Sequence, residues 1–554
     1  MPDACHNIAH YLPEMARQIP FARAVVYPDS RDRSGRVAYT QLTFAQLDRL
    51  CDRYAWGLQA AGVQQGMKTL LMVKPSLDFF ALTFAIFKIG AVPVLIDPGM
   101  GWGKFMRCVA QSAPEAFLGI PAAHVLRLVR RKFFRSIQIP VTLGRRWFWG
   151  GCSVDEMPEC HEPFPVQAVE PQDMAAVLFT TGSTGPAKGV VYSHRIFTTQ
   201  TEILREQYGI GPGDIDLPCF PLFALFSTAL GATAVIPDMD PSKPALVDPE
   251  RIIEPILNQG VTYSFGSPTL WARVSEYCVG KGIRFPTLTR IIMAGAPVPG
   301  YVHERLLGSV LPTGAETYTP YGATESLPVA NFAGSEMLAE TADKTRAGQG
   351  MCVGKPLPTV ECHIIRISDE PITDWDPSMV VPDGTIGEIC VKGDVVTRQY
   401  HNLPEATRLA KMRDGETVWH RMGDVGYLDE QGRIWFCGRK THRVETGEAT
   451  LFTVRCEAIA NEHPAVYRSA LVGIGPDRMR QTPILILEPM PGQLPESESA
   501  QAALRQQVRD LLLANPETAG IERILLHRSF PVDIRHNAKI RREVLAEWAA
   551  KQSG

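Results

Sequence analysis

Residues 180–190 read Thr-Thr-Gly-Ser-Thr-Gly-Pro-Ala-Lys-Gly-Val and lie between two apolar runs, residues 175–179 and 190–192. Glycines and small hydroxylated residues let backbone N–H groups come close to an anion, and the hydroxyls add further donors. Lys188 supplies a point charge for phosphate oxygens. The stretch therefore predicts a phosphate-binding loop between two strands. A P-loop kinase or GTPase is disfavoured, because the Walker A lysine opens a helix whereas Lys188 precedes a glycine and a strand.

Apolar runs of strand length alternate with amphipathic runs through most of the chain. Residues 70–73 predict a buried strand, residues 79–89 a helix and residues 92–96 a second strand, which together make a βαβ unit. Further strands are expected at residues 175–180, 232–236, 262–265 and 290–293. This alternation predicts an α/β body with a largely parallel sheet.

A domain boundary is expected near Gly438. Before it, residues 425–428 and 434–437 predict a hairpin that turns at residues 429–432. After it, the chain is more charged and rich in predicted helix. We therefore expect a large domain over residues 1–437 and a smaller domain over residues 438–554.

Composition narrows the class of protein. The chain has 554 residues, of which 45% are hydrophobic and 21% are charged. These fractions exclude a disordered chain, a coiled coil and a collagen-like fibre. The formal net charge of -3 gives no general reason to expect a nucleic-acid partner.

The sequence predicts neither a transmembrane segment nor a secretory signal. The longest apolar stretch, residues 79–96, is interrupted by Lys88 and carries Gly90 and Pro93, which favours a buried helix and a strand. Residues 1–10 lack the basic and apolar regions of a signal peptide. The twelve cysteines contain no C-x-x-C pair, so we expect reduced thiols in a cytoplasmic protein.

Residues 116–154 form a basic aromatic segment without Asp or Glu. Its basic residues are Arg127, Arg130, Arg131, Lys132, Arg135, Arg145 and Arg146, and its aromatic residues include Phe133, Phe134, Trp147, Phe148 and Trp149. One interpretation is a surface for peripheral contact with a membrane or an acidic partner, or a lid over an apolar substrate. The other is a solvated helix and loop whose aromatic side chains pack inward.

Further motifs accompany the loop in a fixed order. They read Leu-Thr-Phe at 42–44, Lys-Ile-Gly-Ala-Val-Pro at 88–93, Ala-Gly-Ala-Pro at 294–297, Tyr-Thr-Pro-Tyr-Gly-Ala-Thr-Glu at 318–325, Gly-Asp-Val-Gly-Tyr at 423–427, Gly-Arg-Lys at 438–440 and Asn-Ala-Lys-Ile at 537–540. With these motifs the chain resembles the adenylate-forming superfamily of acyl-CoA ligases, peptide-synthetase adenylation domains and luciferases. The resemblance implies a large N-terminal domain of layered α/β subdomains and a small, mobile α+β C-terminal cap.

The resemblance implies that the enzyme joins a carboxylate to the α-phosphate of ATP and releases pyrophosphate. Thr184 and Lys188 are then expected to hold the β- and γ-phosphates, and Thr324 the α-phosphate. The remaining loop residues expected to bind nucleotide are Thr180, Thr181, Gly182, Ser183 and Gly185. Glu325, together with Thr184, is expected to bind Mg²⁺, which prefers carboxylate and phosphate oxygen.

The same resemblance assigns the nucleoside. Tyr321 is expected to pack on adenine, and the neighbouring contacts are expected from Gly295, Ala296, Pro297 and Gly322. Asp424 should accept both ribose hydroxyls, with Arg439 close by. Lys539 should reach from the C-terminal domain to the α-phosphate and offset the charge that develops during attack. Lys539, Thr184, Lys188 and Glu325 are thus the expected catalytic residues.

Two departures from the acyl-CoA ligase pattern argue against a CoA-dependent second step. The ligases have a histidine after Pro-Leu-Phe, whereas residues 221–223 are followed by Ala224. The hinge aspartate of the family is replaced by Thr441, and Glu445 occupies the usual lysine position. This hinge normally swings the small domain from adenylation to thioester formation.

A closer resemblance, carried by residues 439–446 and 535–540, is to the β-lactone-forming members of the superfamily from bacterial long-chain olefin synthesis. It implies a long-chain 2-alkyl-3-hydroxy acid substrate whose own hydroxyl closes a β-lactone, and a possible complex with other enzymes of that pathway. The apolar run at residues 220–230 suits such a lipid. His194 is a weak candidate for the base. The alternatives are a long-chain fatty acyl-CoA ligase and a non-catalytic scaffold subunit of a lipid-processing complex.

Overall fold

The structure is a computed structural model that describes residues 6–158, 160–179, 186–532 and 539–552. Its strands are β1 Arg23–Arg31, β2 Val37–Thr43, β3 Lys68–Met72, β4 Val92–Leu95, β5 Ala116–Gly119, β6 Ile139–Thr142, β7 Cys152–Ser153, β8 Met174–Phe179, β9 Gly189–Ser193, β10 Ile215–Pro218, β11 Thr233–Val235, β12 Tyr263–Gly266, β13 Arg290–Met293, β14 Glu316–Tyr318, β15 Tyr321–Ala323, β16 Ser326–Asn331, β17 Met351–Cys352, β18 Lys355–Pro356, β19 Val360–Ile365, β20 Gly387–Gly393, β21 Lys411–Asp414, β22 Thr417–Leu428, β23 Ile434–Arg439, β24 Val444–Glu445, β25 Thr450–Leu451, β26 Val466–Ile474, β27 Thr482–Pro489 and β28 Arg523–Leu526.

The helices are α1 Tyr11–Gln18, α2 Phe44–Ala60, α3 Leu77–Lys88, α4 Trp102–Ser112, α5 Pro121–Val129, α6 His194–Tyr208, α7 Ala224–Ala229, α8 Pro249–Gln259, α9 Pro268–Lys281, α10 Gly300–Arg305, α11 Gly334–Glu336, α12 Ala342–Arg346, α13 Pro404–Ala410, α14 Thr453–Ala460, α15 Glu498–Leu513 and α16 Arg542–Lys551. Single π-helical turns follow α10 at Leu306–Val310 and α11 at Met337–Thr341.

A seven-stranded sheet carries the predicted βαβ unit. Its strand order is β7-β6-β5-β3-β4-β8-β9, and all its pairs are parallel except β8 with β9. The predicted strand, helix and strand are confirmed as β3, α3 and β4. Helix α3 begins two residues before its predicted start, because the side chain of Ser76 caps it by accepting the N–H of Phe79 at 3.2 Å.

Lys88, which interrupts the longest apolar stretch, is buried with 1% exposure. Its ammonium lies 2.6 Å from Oδ1 of Asp48 and 2.5 Å from Oδ1 of Asp52, both on α2. A buried charge needs paired partners of this kind. The lysine therefore ties the end of α3 to α2 within the core.

A second seven-stranded sheet has the order β14-β13-β12-β10-β11-β1-β2 and is parallel except for β1 with β2. Its apolar side chains, with those of α8 and α9, form a core around Trp271 and Ile291. The predicted strands at residues 232–236, 262–265 and 290–293 are β11, β12 and β13. The expectation of a largely parallel sheet is confirmed for both seven-stranded sheets.

A third sheet is antiparallel, with the order β17-β23-β22-β20-β19 and β21 paired to β22. The predicted hairpin is its β22–β23 pair, which turns at residues 429–432. Asp424 lies directly opposite Arg439 in this pair. The hairpin thus brings together an acidic and a basic side chain from two separate motifs.

The chain after the hairpin forms the sheet β26-β27-β28 with helices α14, α15 and α16 around it. Leu471, Leu485 and Val508 lie in one of its two cores, which draw their side chains from residues 444–549. The division into domains at residues 437 and 438 remains a prediction. Gly438 itself lies inside β23, which continues to Arg439.

No helix in the described part of the chain combines the length and the apolar character that crossing a bilayer requires. The cysteines of the described ranges are free thiols, and most of them are buried.

Candidate active site

A cavity of about 3170 Å³ lies where the two parallel sheets, the antiparallel sheet and the C-terminal residues meet. The predicted site residues that line it are Lys188, Gly295, Ala296, Pro297, Tyr321, Gly322, Thr324, Glu325, Asp424, Arg439 and Lys539. Thr180, Thr181, Gly182, Ser183, Thr184 and Gly185 lie outside the described residues, so their predicted contacts with phosphate stay predictions. The structure therefore brings together all the described residues that are predicted to bind nucleotide or Mg²⁺.

Asp424 is the centre of the polar wall. The hydroxyl of Tyr321 donates to its Oδ2 at 2.7 Å, and Nη1 of Arg439 lies 2.9 Å from its Oδ1. Burial raises the pKa of the Asp424 carboxyl, and the charge of Arg439 opposes that rise. The Arg439 contact lacks hydrogen-bond geometry, so Oδ1 has no hydrogen-bond donor among the described residues. A buried oxygen without a donor fits the hydroxyl of a bound sugar.

Gly295 opens the loop that follows β13 along the cavity, and its φ of +94° is a conformation that favours glycine. Tyr321 begins β15 on the same cavity. The backbone of the loop and an aromatic ring can together bind a flat heterocycle, as predicted for adenine.

Glu325 is held by two groups that sequence reasoning missed. Its Oε1 accepts the hydroxyl of Tyr400 at 2.7 Å. Its main-chain oxygen accepts the N–H of Thr397 at 2.9 Å. Tyr192 supports the preceding residue, because its hydroxyl donates to the main-chain oxygen of Thr324 at 2.7 Å. Neither Tyr192 nor Tyr400 stands in one of the motifs that carried the resemblance, so no sequence signal pointed to them.

Groups of three or more His, Cys, Asp or Glu side chains with the spacing of a metal site are absent from the described ranges. The donor set nevertheless fits Mg²⁺, which binds proteins through one or two carboxylates and takes its remaining oxygens from phosphate and water. Glu325 supplies such a carboxylate on the wall that also carries Lys188.

Lys539 is half-buried on the same cavity, although it belongs to the C-terminal part of the chain. Its positive charge acts to lower the pKa of Asp424, which places the lysine within electrostatic reach of the nucleoside wall. Asn537 and Ala538 of its motif lie outside the described residues.

Glu445, one of the two residues that depart from the hinge pattern, belongs to a group of ion pairs. Arg443 is buried and pairs with Asp369 at 2.7 Å and with Glu445 at 2.6 Å. Glu445 also accepts the hydroxyl of Thr450 at 2.6 Å. The neighbouring Lys440 lies 2.9 Å from Oε1 of Glu388. Glu445 therefore braces Arg443, and the contacts of Arg443 with Asp369 and of Lys440 with Glu388 join the segment after β23 to residues earlier in the chain.

Much of the remaining lining of the cavity is apolar, alongside further charged side chains such as Asp238, Arg273 and Glu276. The run at residues 220–226 lines it, and the ring of Phe223 stacks on that of Phe265 with centroids 3.9 Å apart. The lining also includes Trp102, Val125 and Val129. A mainly apolar lining next to a few polar groups suits a lipid with one polar end.

His194 does not take part in this site. The N–H of Ile8 donates to its Nδ1 at 3.2 Å, and its ring packs against that of Phe87. Burial lowers the pKa of His194 to about 4. The histidine has a packing role, and the weak suggestion that it is the base for the hydroxyl receives no support.

The fold and the cavity define a nucleotide-binding enzyme built on parallel sheets. The model of the AMP-binding enzyme family matches residues 12–401, and the chain belongs to that family. It is 47% identical to an olefin β-lactone synthetase of Stenotrophomonas maltophilia, over 99% of this chain and 98% of the relative. A long-chain-fatty-acid–CoA ligase of Thermus thermophilus is 28% identical over 85% of this chain and 84% of the relative. The amide bond synthetase McbA of Marinactinospora thermotolerans shares the fold, with a TM-score of 0.77, 23% identity and coverage of 98% and 99%.

Replacement of Asp424 by asparagine is expected to weaken nucleotide binding. The variant keeps the shape of the side chain but loses the charge that pairs with Arg439 and that is predicted to accept the ribose hydroxyls. A charge-assisted hydrogen bond is worth about 1.5–3 kcal/mol, so the Kd for ATP should rise roughly 10- to 100-fold by calorimetry. Asp374→Asn, which removes an exposed ion pair with Arg413, is the control and should leave that Kd unchanged. Equal Kd values for Asp424→Asn and the unmodified protein would contradict the assignment.

Proposed function

We propose that this chain is an ATP-dependent β-lactone synthetase that acts on a long-chain 2-alkyl-3-hydroxy acid. The observation that carries the proposal is the single cavity, in which Lys188, Glu325, Asp424 and Lys539 lie beside a large apolar wall. The likeness to the olefin β-lactone synthetase over almost the whole of both chains supports the same reaction. A non-catalytic scaffold would have no use for this set of four side chains.

In the first step a carboxylate oxygen of the acid attacks the α-phosphorus of ATP, and the bond from that phosphorus to pyrophosphate breaks. We assign Lys188 and the loop at residues 180–185 to the β- and γ-phosphates, Thr324 to the α-phosphate, and Asp424 with Arg439 to the ribose. Mg²⁺ bound to Glu325 and Thr184 would neutralise phosphate charge. Lys539 would stabilise the charge that builds on the α-phosphate during attack.

In the second step the 3-hydroxyl oxygen attacks the carbonyl carbon of the acyl-adenylate. The bond from that carbon to AMP breaks, the hydroxyl proton is released, and a four-membered lactone remains. Attack from within one molecule needs no second binding site and has a high effective molarity. The apolar wall around Phe223 and Phe265 would hold the two alkyl chains and exclude water from the reactive intermediate.

Two features favour this second step over transfer to CoA. Ala224 stands where the acyl-CoA ligases have histidine, and it is buried at the start of α7. Arg443 links Glu445 to Asp369 of the large body, which restrains the segment that swings in the ligases. The ion pairs of Arg443 act against the rearrangement that a thioester-forming enzyme needs.

The decisive experiment compares products with and without CoA. The protein is incubated with ATP, Mg²⁺ and a 2-alkyl-3-hydroxy acid, and the products are identified by mass spectrometry. We expect AMP, pyrophosphate and β-lactone in equal amounts without CoA, because the nucleophile is part of the substrate. A product that forms only with CoA would establish the acyl-CoA ligase alternative. Failure to release pyrophosphate with any long-chain acid would establish the scaffold alternative.

We further propose a cytoplasmic enzyme that takes its lipid from an anionic membrane surface and works beside other olefin-pathway enzymes. Free, mostly buried cysteines suit a reducing compartment. Within the basic aromatic segment Phe134 and Trp149 are buried, whereas Trp147 and Phe148 are exposed. Val129 ends α5 with 71% of its surface exposed, next to exposed basic residues that begin at Arg130.

The position of these residues supports the membrane proposal. Val125 and Val129 line the cavity and are exposed, as is Trp102, which has 61% exposure. Exposed apolar side chains flanked by arginine and lysine are typical of peripheral binding to anionic lipid. A double-chained acid would then pass from the bilayer into the cavity without crossing water.

Sedimentation with vesicles tests this contact. The protein should pellet with phosphatidylglycerol vesicles and not with phosphatidylcholine vesicles, and the bound fraction should fall as salt rises. The double variant Val129→Asp/Arg131→Glu should bind more than tenfold more weakly, since it shifts the charge by three units and each is worth about 1 kcal/mol near an anionic surface. The matched control Leu513→Asp/Lys551→Glu changes exposed residues of α15 and α16 and should bind normally. Unchanged binding of the first variant, or no binding to either vesicle, would refute the proposal.

A further inference from the structure

Tyr400 contacts both charged groups that we assign to the phosphate and metal end of the cavity. Its hydroxyl donates to Oε1 of Glu325 at 2.7 Å. The Nζ atom of Lys188 lies 4.8 Å from the centroid of its ring, within the range of a cation–π interaction. One side chain therefore joins the lysine of the phosphate loop to the expected metal ligand.

The backbone around Tyr400 is fixed to the same two elements. Tyr400 forms a β-bridge with Val190 of β9, and the N–H of His401 donates to the oxygen of Gly189 at 2.7 Å. Three residues earlier, the hydroxyl of Thr397 donates to the main-chain oxygen of Glu325 at 3.0 Å. The segment 396–401 thus spans the gap between the end of the phosphate loop and the strand that follows Glu325.

The ring of Tyr400 has little freedom to move. It is buried among Val190, Tyr192 and Ile196, and the N–H of Tyr400 donates to the hydroxyl of Thr407 at 3.0 Å. Its contacts with Lys188 and Glu325 are therefore set by the fold, since rotation of the ring would disturb packed neighbours.

This arrangement keeps Lys188 and Glu325 from forming an ion pair with each other. A lysine and a carboxylate that serve one triphosphate lie close enough to attract each other, and a direct ion pair would occupy both groups. In the part of the chain that the structure describes, Lys188 and Glu325 form no ion pair with each other. Instead the cation lies over the negative face of the ring, and the anion accepts from its hydroxyl. Both charges are stabilised, and neither cancels the other.

We propose that Tyr400 is a positioning residue that holds Lys188 and Glu325 apart and oriented for the magnesium–pyrophosphate part of ATP. The proposal rests on the proposed function, because the roles of Lys188 and Glu325 in ATP binding come from it. Tyr400 touches neither the reacting carbon nor the α-phosphorus in this account. Its effect therefore reaches the reaction through the two residues that it contacts.

The test separates metal binding from turnover. Calorimetry measures ATP binding with and without Mg²⁺ in the unmodified protein, Tyr400→Phe and Tyr400→Leu. We expect Tyr400→Phe to bind metal-free ATP with an unchanged Kd. The factor by which Mg²⁺ lowers the Kd for ATP should be about tenfold smaller in this variant than in the unmodified protein. Tyr400→Leu, which also removes the ring beneath Lys188, should weaken metal-free ATP binding about tenfold as well. Tyr277→Phe is the control, because it removes a tyrosine–glutamate hydrogen bond on the surface, and both constants should stay unchanged.

The same replacement made in the Glu325→Gln protein distinguishes a specific effect of Tyr400 from a merely structural one. In Glu325→Gln, replacement of Tyr400 by phenylalanine should change the magnesium effect no further, since the hydroxyl acts through the carboxylate. An undiminished magnesium effect in Tyr400→Phe, or an equal loss in both backgrounds, would overturn the proposal. Absence of ATP binding by the unmodified protein would instead refute the proposed function. The two failures are thus distinguishable.

Discussion

The pairing of β22 with β23 is the constraint on which the site depends. Its register sets Asp424 opposite Arg439, and the hydroxyl of Tyr321 reaches the same carboxylate from β15. These three side chains come from two sheets, so the nucleoside wall forms only when both sheets are in place. Arg439 is also the last residue of β23. One hairpin therefore sets the geometry of the side chains that we assign to the ribose.

The cavity carries both charged and apolar side chains. Lys188, Glu325, Asp424 and Lys539 are among the charged ones, and the aromatic residues of 220–226 are among the apolar ones. A carboxylate with long alkyl chains likewise has one charged end and a large apolar remainder. Such a match orients the substrate before any covalent step and keeps its carboxylate toward the phosphates.

The sequence predicted those parts of the molecule that local pattern controls. The βαβ unit at β3–α3–β4, the β22–β23 hairpin and the motifs that meet in the cavity all follow from residues close together in the chain. Contacts between residues far apart in the chain could not be predicted from the sequence. Lys88 interrupts an apolar run and signals only a break, whereas its role depends on two carboxylates of α2. Tyr400 lies 75 residues from Glu325 and belongs to none of the recognised motifs, so only the folded chain reveals their hydrogen bond.

The hinge is a third place where the sequence does not reveal the partner of a side chain. Thr441 and Glu445 depart visibly from the ligase pattern, yet the sequence does not give the consequence, because the partner of Arg443 is Asp369, far away in the chain. Once folded, the substituted glutamate belongs to an ion-paired group that fastens this segment. The contacts of the substituted residue, invisible in the sequence, are thus revealed by the fold.

The account depends most directly on the claim that the substrate's own hydroxyl displaces AMP. Isotope transfer measures this, with one sample of the acid carrying ¹⁸O in the carboxylate and another carrying ¹⁸O in the 3-hydroxyl. The account predicts that one carboxylate ¹⁸O appears in AMP, whereas the hydroxyl ¹⁸O remains in the ring of the lactone. Appearance of the hydroxyl ¹⁸O in AMP would contradict it, since the hydroxyl and not the carboxylate would then have been activated.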